Sequence, residues 1–423
     1  MIHFLKQWGM RYRGELIFSL ASYTTPIVGL WASVLTAKFL LPQELGSIQA
    51  IMLILPYAAF LQLGVINGLN RNLAFYIGRN DRATAQRMVN ATAFVVNIVS
   101  GIGLLMGLII LGIKFYATPK NQIEIYASIA LLSSLIFMHQ NSYLSNLFRS
   151  GQHFHQLGKL TFIENGIRFL YSLLPAAFGW VGRIIGETIR PMIGFALRYK
   201  YRPYKPDKSG FSSQDIKLLL HAGTPLLITG YLLGLFSVAD QSLIALHFNK
   251  IQLGYYSLSR LIITALMIVP VTMGTLLYPK ASTLYGQTGN PHALKPFFWK
   301  ALLFNAVVFI PICCIAYFLL EPIVRMFLPH YIGGLEAAKI NVLTCMTLIS
   351  MGPSVVAGVL KKMMPVLFFY AIALGIIWGI GQFLCTHHIP TIETIAWLRF
   401  FVATGLSIVI IGYNYYLTRT DNK

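Results

Sequence analysis

Charge is scarce in this 423-residue sequence, and negative charge is scarcest. Asp, Glu, Lys and Arg make up 11% of the chain, with 13 acidic residues against 33 basic ones, while 56% of residues are hydrophobic. That balance excludes both an ordinary soluble domain and a disordered chain. Cysteine is almost absent. Cys313, Cys314, Cys345 and Cys385 all lie in apolar runs without zinc-ligand spacing, and adjacent Cys313 and Cys314 are poorly placed to bridge each other. They read as small core hydrophobes, and no metal or redox site is expected. No GxxxxGK[ST] loop occurs, which excludes ATP hydrolysis by that route. Long polar insertions are missing too.

What is present is apolar sequence in long runs. A membrane-crossing helix needs about 20 apolar residues, and twelve runs qualify: 16–37, 47–66, 89–113, 125–146, 161–179, 180–197, 218–246, 254–279, 301–320, 340–360, 365–385 and 391–417. Barrel strands would instead show alternating segments of about ten residues. The expected fold is an all-α integral membrane protein with twelve transmembrane helices.

The basic excess follows the loops. Segments 1–15, 67–88, 147–160, 198–217, 280–300, 361–362 and 418–423 carry 22 of the 33 Lys and Arg; the alternate loops carry seven, and four arginines lie within spans. By the positive-inside rule both termini are expected in the cytoplasm. The charge therefore reports topology, and no nucleic-acid partner is expected. The basic start MIHFLKQWGMRYRGE leads into a full-length span without a small-residue cleavage site, so no cleavable signal peptide is expected.

A shift of 208 residues lays Leu45-Gly46 on Leu253-Gly254 and Gly78 on Gly286; Thr25-Pro26 of the first span is echoed by Thr224-Pro225 of the seventh. Six spans return the chain to its starting side, so duplication implies two parallel six-helix repeats around a central cavity. The expected lobes are 1–208, ending in the basic cytoplasmic linker, and 209–423. Prolines fall in or beside many spans, among them Pro56, Pro175, Pro191, Pro270, Pro311 and Pro353. Pro26 and Pro225, at matching positions, are candidate hinges, although membrane helices commonly tolerate proline.

Seven ionisable residues fall within the spans: Glu164, Arg168, Glu187, Arg190, Asp240, Arg260 and Arg399. At about 1.5 Å per residue, Arg168 and Arg190 come out near the midplane, and Asp240, Arg260 and Arg399 about 10 Å below the outer surface. None faces lipid cheaply there, so all should look into the bundle. Spacing suggests Glu164–Arg168 and an Arg183–Glu187–Arg190 ladder along one helix face, and Asp240–Arg260 across consecutive spans. One reading is that such pairs lock helices together. Arginine nevertheless exceeds carboxylate, and Arg399 has no evident local partner. Lys38 and Arg183 add cations near the outer face, with Arg71, Lys361 and Lys362 near the inner, the lysines reading as topology charges. Such a cavity suits an anion, and the planar guanidinium suits phosphate in particular. His139, His153 and His155, and the outer pair His387-His388, lack carboxylates at metal-site spacing. No cofactor is expected.

The segment AKFLLPQELGSIQAIMLILPYAAFLQLGVINGLNRNLAFYIGRND (37–81) resembles the first-half signature of Wzx-type polysaccharide flippases: Leu41, Pro42, Glu44 and Gly46, then Leu63, Gly64 and Arg71. Asp240, LGYYSLSRLIITALMIVPVTMGTLLYPKAS (253–282) and FLPHYIGGLEAAKI (327–340) are similar to the second-half signature. The resemblance spans nearly the whole chain and reaches the wider multidrug, oligosaccharidyl-lipid and polysaccharide exporter superfamily. It implies a bacterial inner-membrane protein carrying undecaprenyl-pyrophosphate-linked oligosaccharide to the periplasmic leaflet for O-antigen or capsule. Polymerase and chain-length proteins of the same pathway would be its candidate partners. The related lipid II flippase carries an arginine near the start of its eighth span, which singles out Arg260 here. The nearly loopless joint of spans five and six, with Glu187 and Arg190, departs from the family.

The expected substrate-binding residues are Arg260, Arg168, Arg190, Arg399 and Arg71; Asp240, Glu187, Pro26 and Pro225 are expected in gating or coupling. A multidrug exporter of the same superfamily is an alternative, though cationic drugs call for acidic and aromatic linings. An enzyme, such as a polysaccharide polymerase, is a further one. Its catalytic groups would need a large outer loop, and the longest here is 321–339.

Overall fold

A computed structural model describes residues 2–351, 354–387 and 390–419. Pro353 and His388 lie outside the described residues. The chain sorts into two compact units, Met1–Leu40 with Ser47–Tyr231, and Leu41–Gly46 with Leu232–Lys423. Each is built from helices, as expected where only intrahelical bonds can satisfy backbone N–H and C=O groups in hydrocarbon.

The helices of the first unit are α1 (Ile2–Phe39), α2 (Pro42–Met52, shared with the second unit), α3 (Ile54–Ala58), α4 (Val65–Gly78), α5 (Arg82–Ala117), α6 (Gln122–Ser150), α7 (Phe154–Tyr171), α8 (Leu174–Lys200) and α9 (Ser213–Phe236, whose last turn belongs to the second unit). Asp81 caps α5 by accepting from the Thr84 N–H at 3.0 Å, and Asn121 caps α6. Leu69 and Leu73 of α4, Met88 of α5 and Leu147 of α6 form a fully buried cluster with Leu219 of α9. Small residues bring the helices into backbone contact. A Cβ on Gly68 would lie 2.0 Å from the Leu219 carbonyl oxygen, and one on Gly223 would lie 1.9 Å from that of Gly64.

The second span is broken, with Pro56 in α3, a 3₁₀ turn at Ala59–Gln62 and a left-handed pair at Leu63 and Gly64. Carbonyls freed by such a break need other donors. Tyr231 donates to the Tyr57 oxygen, His139 Nε2 to that of Ala58 and the Thr224 hydroxyl to that of Leu63. His139 is thus a buried structural group.

The helices of the second unit are α10 (Ala239–His247), α11 (Lys250–Leu266), α12 (Ile268–Thr288), α13 (Lys295–Phe304), α14 (Ile310–Phe327), α15 (Leu335–Thr347), α16 (Val355–Val359), α17 (Met364–His387) and α18 (Ile392–Leu417). A π-helical stretch, Asn305–Phe309, joins α13 to α14. There the fully buried Asn305 side chain donates to the Ile349 carbonyl at 3.0 Å. Leu243, Phe298, Ile377 and Ile410 anchor this unit's core.

Among the described residues ten helices are long and apolar enough to cross a membrane, or eleven with a bent pair counted as one span. This is a multi-pass membrane protein. The bent pair is α7 and α8, turned by 108°, which the sequence reading treats as separate spans 161–179 and 180–197. Its charges, Glu164, Arg168, Arg183, Glu187 and Arg190, lower the hydropathy of either half. A second irregularity falls at Gly179, whose φ of 55° and ψ of −135° suit glycine. The expected seventh span, 218–246, is likewise interrupted between α9 and α10.

Candidate functional site

The helices place charged side chains around two polar cavities, one in each unit. In the first unit, a cavity of about 300 Å³ is lined by Arg149 of α6, Glu164 and Arg168 of α7, and Arg190 and Arg198 of α8, with hydroxyls from α1, α6 and α7. Four arginines face one carboxylate. The carboxylate is taken: Arg198 Nη2 lies 2.5 Å from Glu164 Oε2, and Arg198 Nη1 donates to Asn141 Oδ1 at 3.1 Å. Gly194, one turn before Arg198, makes room for this trio, since a Cβ there would lie 2.8 Å from Arg198 Nη1 and 2.9 Å from Asn141 Oδ1.

Arg168 does not pair with Glu164, although they are one turn apart. It crosses to α1, where Nη1 donates to the Thr25 carbonyl at 3.3 Å and the guanidinium lies against Gly29. Asn165 beside it donates to the Ala21 carbonyl and to the hydroxyls of Thr24 and Thr25. These donors gather on α1 next to Pro26, which lies inside that helix and has no N–H for the Ser22 carbonyl. Arg149 is exposed and lies 5.7 Å from the Phe18 ring centroid. Of the expected ladder, Arg183 meets Glu187 at 2.5 Å, while Arg190 is exposed and forms no ion pair among the described residues. Glu187 and Arg183 line a narrow cleft that shares Arg168 and Arg190 with the cavity.

The second cavity, about 120 Å³, is lined by Asp240 and Gln241 of α10, Tyr256, Arg260 and Thr264 of α11, and Arg399 of α18, with Ser237. Asp240 sits in the first turn of α10, where the helix dipole favours a carboxylate. It pairs with Arg399 and not, as its spacing suggests, with Arg260. Its Oδ2 also accepts from the Tyr256 hydroxyl at 2.5 Å, and Asn341 donates to that hydroxyl at 3.2 Å. Asp240 is 1% exposed and Arg399 5%. Arg260, by contrast, is exposed and donates through Nη1 to Gln241 Oε1 at 2.6 Å. The partner of Arg399 lies 159 residues away, beyond the reach of local spacing.

The expected site residues thus fall into groups. Arg168 and Arg190, with Glu187 nearby, belong to the first unit; Arg260, Arg399 and Asp240 belong to the second. Arg71 is exposed on α4, and Arg71, Pro26 and Pro225 line neither cavity. Arg149 and Arg198 were not expected there. Hydropathy ends their spans at 146 and 197, whereas α6 and α8 run on to Ser150 and Lys200. Among the described residues, no group of three His, Cys, Asp or Glu side chains is placed to hold a metal ion.

Other signature residues, Glu44 and Gly334 among them, shape the backbone. The Leu41 N–H donates to Glu44 Oε2 at 2.8 Å, and a Cβ on Gly334 would lie 2.2 Å from the Tyr255 carbonyl oxygen.

Among solved structures, the chain is similar to a multidrug resistance MATE family transporter of the MOP superfamily in its inward-facing conformation. The TM-score is 0.76 at 12% identity, covering 95% of this chain and 99% of that one. It is similar to the lipid II flippase MurJ in an inward closed conformation, with a TM-score of 0.69 at 17% identity over 96% and 88% of the two chains. A MOP superfamily transporter from Pyrococcus furiosus, described by a binding pocket of reverse polarity, gives 0.66 at 13% identity over 96% and 95%. No curated protein matches the chain. These neighbours are transporters and a flippase, and this chain shares their fold. The family model described as polysaccharide biosynthesis protein matches residues 35–330, well over half of the sequence, and the chain belongs to that family.

Proposed function

We propose that this protein is a flippase for undecaprenyl-pyrophosphate-linked oligosaccharide repeat units of O-antigen or capsule, in the bacterial inner membrane with both termini cytoplasmic. The observation that carries the reading is the cavity of the first unit, where Arg149, Arg168, Arg190 and Arg198 face the single carboxylate of Glu164. A pyrophosphate must cross about 30 Å of hydrocarbon, and stripping water from an ion costs far more than protein folding supplies unless other charges replace it. Arginine forks do so bidentately and stay charged in a low dielectric. The polyprenyl tail keeps to the bilayer.

Release requires weaker binding at the far side. Glu164 and Glu187 beside these arginines compete with the phosphates, Asp240 couples through its pair with Arg399, and a cation or proton on one of these carboxylates would reset the cycle. Pro26 in α1 and Pro225 in α9 are the proposed bending points. We further propose twelve spans in two parallel six-helix repeats, 1–208 and 209–423. Reciprocal close contacts at Gly46 and Gly254 support this pairing. Packing units and repeats need not share a boundary, because α9 adheres to α4 through Gly64, Gly68 and Gly223. Arg71, exposed on α4, is proposed to meet substrate only on the cytoplasmic approach. Polymerase and chain-length proteins are the proposed partners.

The multidrug reading draws on the MATE likeness, but an arginine lining repels cationic drugs. Complementation separates the two. In a flippase-deletion strain the wild-type gene restores surface polysaccharide and Arg168→Gln with Arg198→Gln does not, at equal protein level. Full restoration by that variant, or efflux of a cationic dye by the wild type, would overturn the proposal.

A further inference from the structure

We infer that the cavity of the second unit is a carbohydrate site, taking sugar hydroxyls rather than the pyrophosphate; this rests on the flippase reading above. Its lining differs from the first in charge and in unmet bonding. Asp240 and Gln241 both line it, and both are more than nine-tenths buried. Each keeps one buried polar atom without a protein partner: Oδ1 of Asp240, an acceptor, and Nε2 of Gln241, a donor. Buried polar atoms left unpaired are costly, so such a pair marks a place built for a ligand or solvent.

The chemistry narrows the ligand. A cation is disfavoured, because the guanidiniums of Arg260 and Arg399 line the same small space. An anion is poorly served: Asp240 already neutralises Arg399, and Arg260 is the remaining cation. A group that both donates and accepts, neutral and compact, satisfies the acceptor and the donor together. Vicinal hydroxyls do this, one O–H donating to Asp240 Oδ1 while a neighbouring oxygen accepts from Gln241 Nε2. The exposed Ser237 and Thr264 hydroxyls line the same cavity, and the exposed Arg260 offers further N–H groups beside them. At about 120 Å³ the space holds part of a sugar ring, not a long glycan. Arg260 and Gln241 therefore contribute to substrate choice, with Asp240 held in place by Arg399 and Tyr256.

The experiment compares two ligands on the purified full chain: undecaprenyl pyrophosphate without sugar, and the lipid-linked repeat unit extracted from the source strain. Gln241→Leu removes the free donor without adding charge; Ser237→Ala and Thr264→Val together provide a second variant outside the buried ion pair. Expected is a loss of about ten-fold in affinity for the glycosylated lipid, the size of one or two buried hydrogen bonds, with sugar-free lipid bound as by wild type. Arg198→Gln should weaken both lipids equally. Equal loss of both lipids in Gln241→Leu would assign this cavity to the pyrophosphate, and no loss in either variant would make it a solvent cavity; each overturns the inference alone. Failure of the wild type to bind either lipid would overturn it together with the flippase reading.

Discussion

Gly46 and Gly254, 208 residues apart, each rest on the backbone that leads into the other. A Cβ on Gly46 would lie 1.8 Å from the Lys250 carbonyl oxygen, and one on Gly254 would lie 1.8 Å from that of Pro42. Pro42 and Lys250 are themselves 208 apart, so the two contacts exchange under the sequence shift. The caps exchange as well: the Leu41 N–H donates to Glu44 Oε2, and the Asn249 N–H to Gln252 Oε1. Backbone oxygens cannot swing aside, so Gly46→Ala or Gly254→Ala should each cost about 1–3 kcal/mol of stability. The double variant should cost less than the sum, because both sit in one contact. Gly78→Ala and Gly286→Ala, where a Cβ meets nothing within 4 Å, should unfold at the wild-type temperature or above. Thermal unfolding in detergent reads all four.

The Asp240–Arg399 pair makes a second comparison. Asp240→Asn leaves a buried guanidinium without its counter-ion and should destabilise by about 3–5 kcal/mol. Replacing both, with Asp240→Leu and Arg399→Met, should recover most of that loss. Arg260→Gln, at an exposed residue bonded to a neutral amide, should change stability by no more than about 0.5 kcal/mol. A double-mutant cycle on denaturation midpoints checks the contrast.

The linker between α8 and α9 carries a pH-sensitive contact outside the membrane. Asn90 Nδ2 donates to Asp207 Oδ1 at 2.8 Å, and the Ser209 N–H and hydroxyl donate to the same oxygen at 3.0 and 2.5 Å. The Asn90 and Ser209 side chains, then the Ser209 backbone, hold the Asp207 carboxyl below its ordinary value of 3.8. A carboxyl lowered on folding contributes stability that is full above the ordinary value and is lost as pH falls through the folded one. Protection of residues 203–210 against hydrogen exchange should therefore hold down to the ordinary carboxyl range and drop below it. Asn90→Ala should weaken that dependence and leave the part that the Ser209 bonds supply.

In the first cavity, Glu164 acts as an internal anion on Arg198. Glu164→Gln should free that guanidinium and strengthen binding of inorganic pyrophosphate several-fold, as read by calorimetry on purified protein. Arg198→Lys should bind more weakly than wild type because a point charge cannot form the fork. Weaker binding in Glu164→Gln would mean that the carboxylate positions Arg198 rather than competing for it.

Much of this was legible from residue order alone. Run length showed a chain of membrane-crossing helices, ten or eleven among the described residues against the twelve expected. The burial cost of charge is visible at Asp240 and Arg399 but not at Arg190 and Arg260, which are exposed. Partners were another matter, because they depend on which helices pack together. Glu164 meets Arg198 across helices in place of Arg168 one turn away, and Asp240 meets Arg399 in place of Arg260. Arg198 does carry a signal in the sequence. Arg190, Gly194 and Arg198 are spaced by four and so share one stripe of α8, with the glycine opening space beside the guanidinium. Hydropathy alone ended that span early, since helices continue past the hydrocarbon.

The most direct measurement reconstitutes the purified chain in liposomes with fluorescent undecaprenyl-pyrophosphate-linked oligosaccharide and follows its accessibility in each leaflet. Wild-type protein should move the lipid between leaflets, and Arg168→Gln with Arg198→Gln should reduce the rate to that of protein-free vesicles while the protein stays folded. Wild-type vesicles no faster than empty ones, or a variant as fast as wild type, would contradict the account.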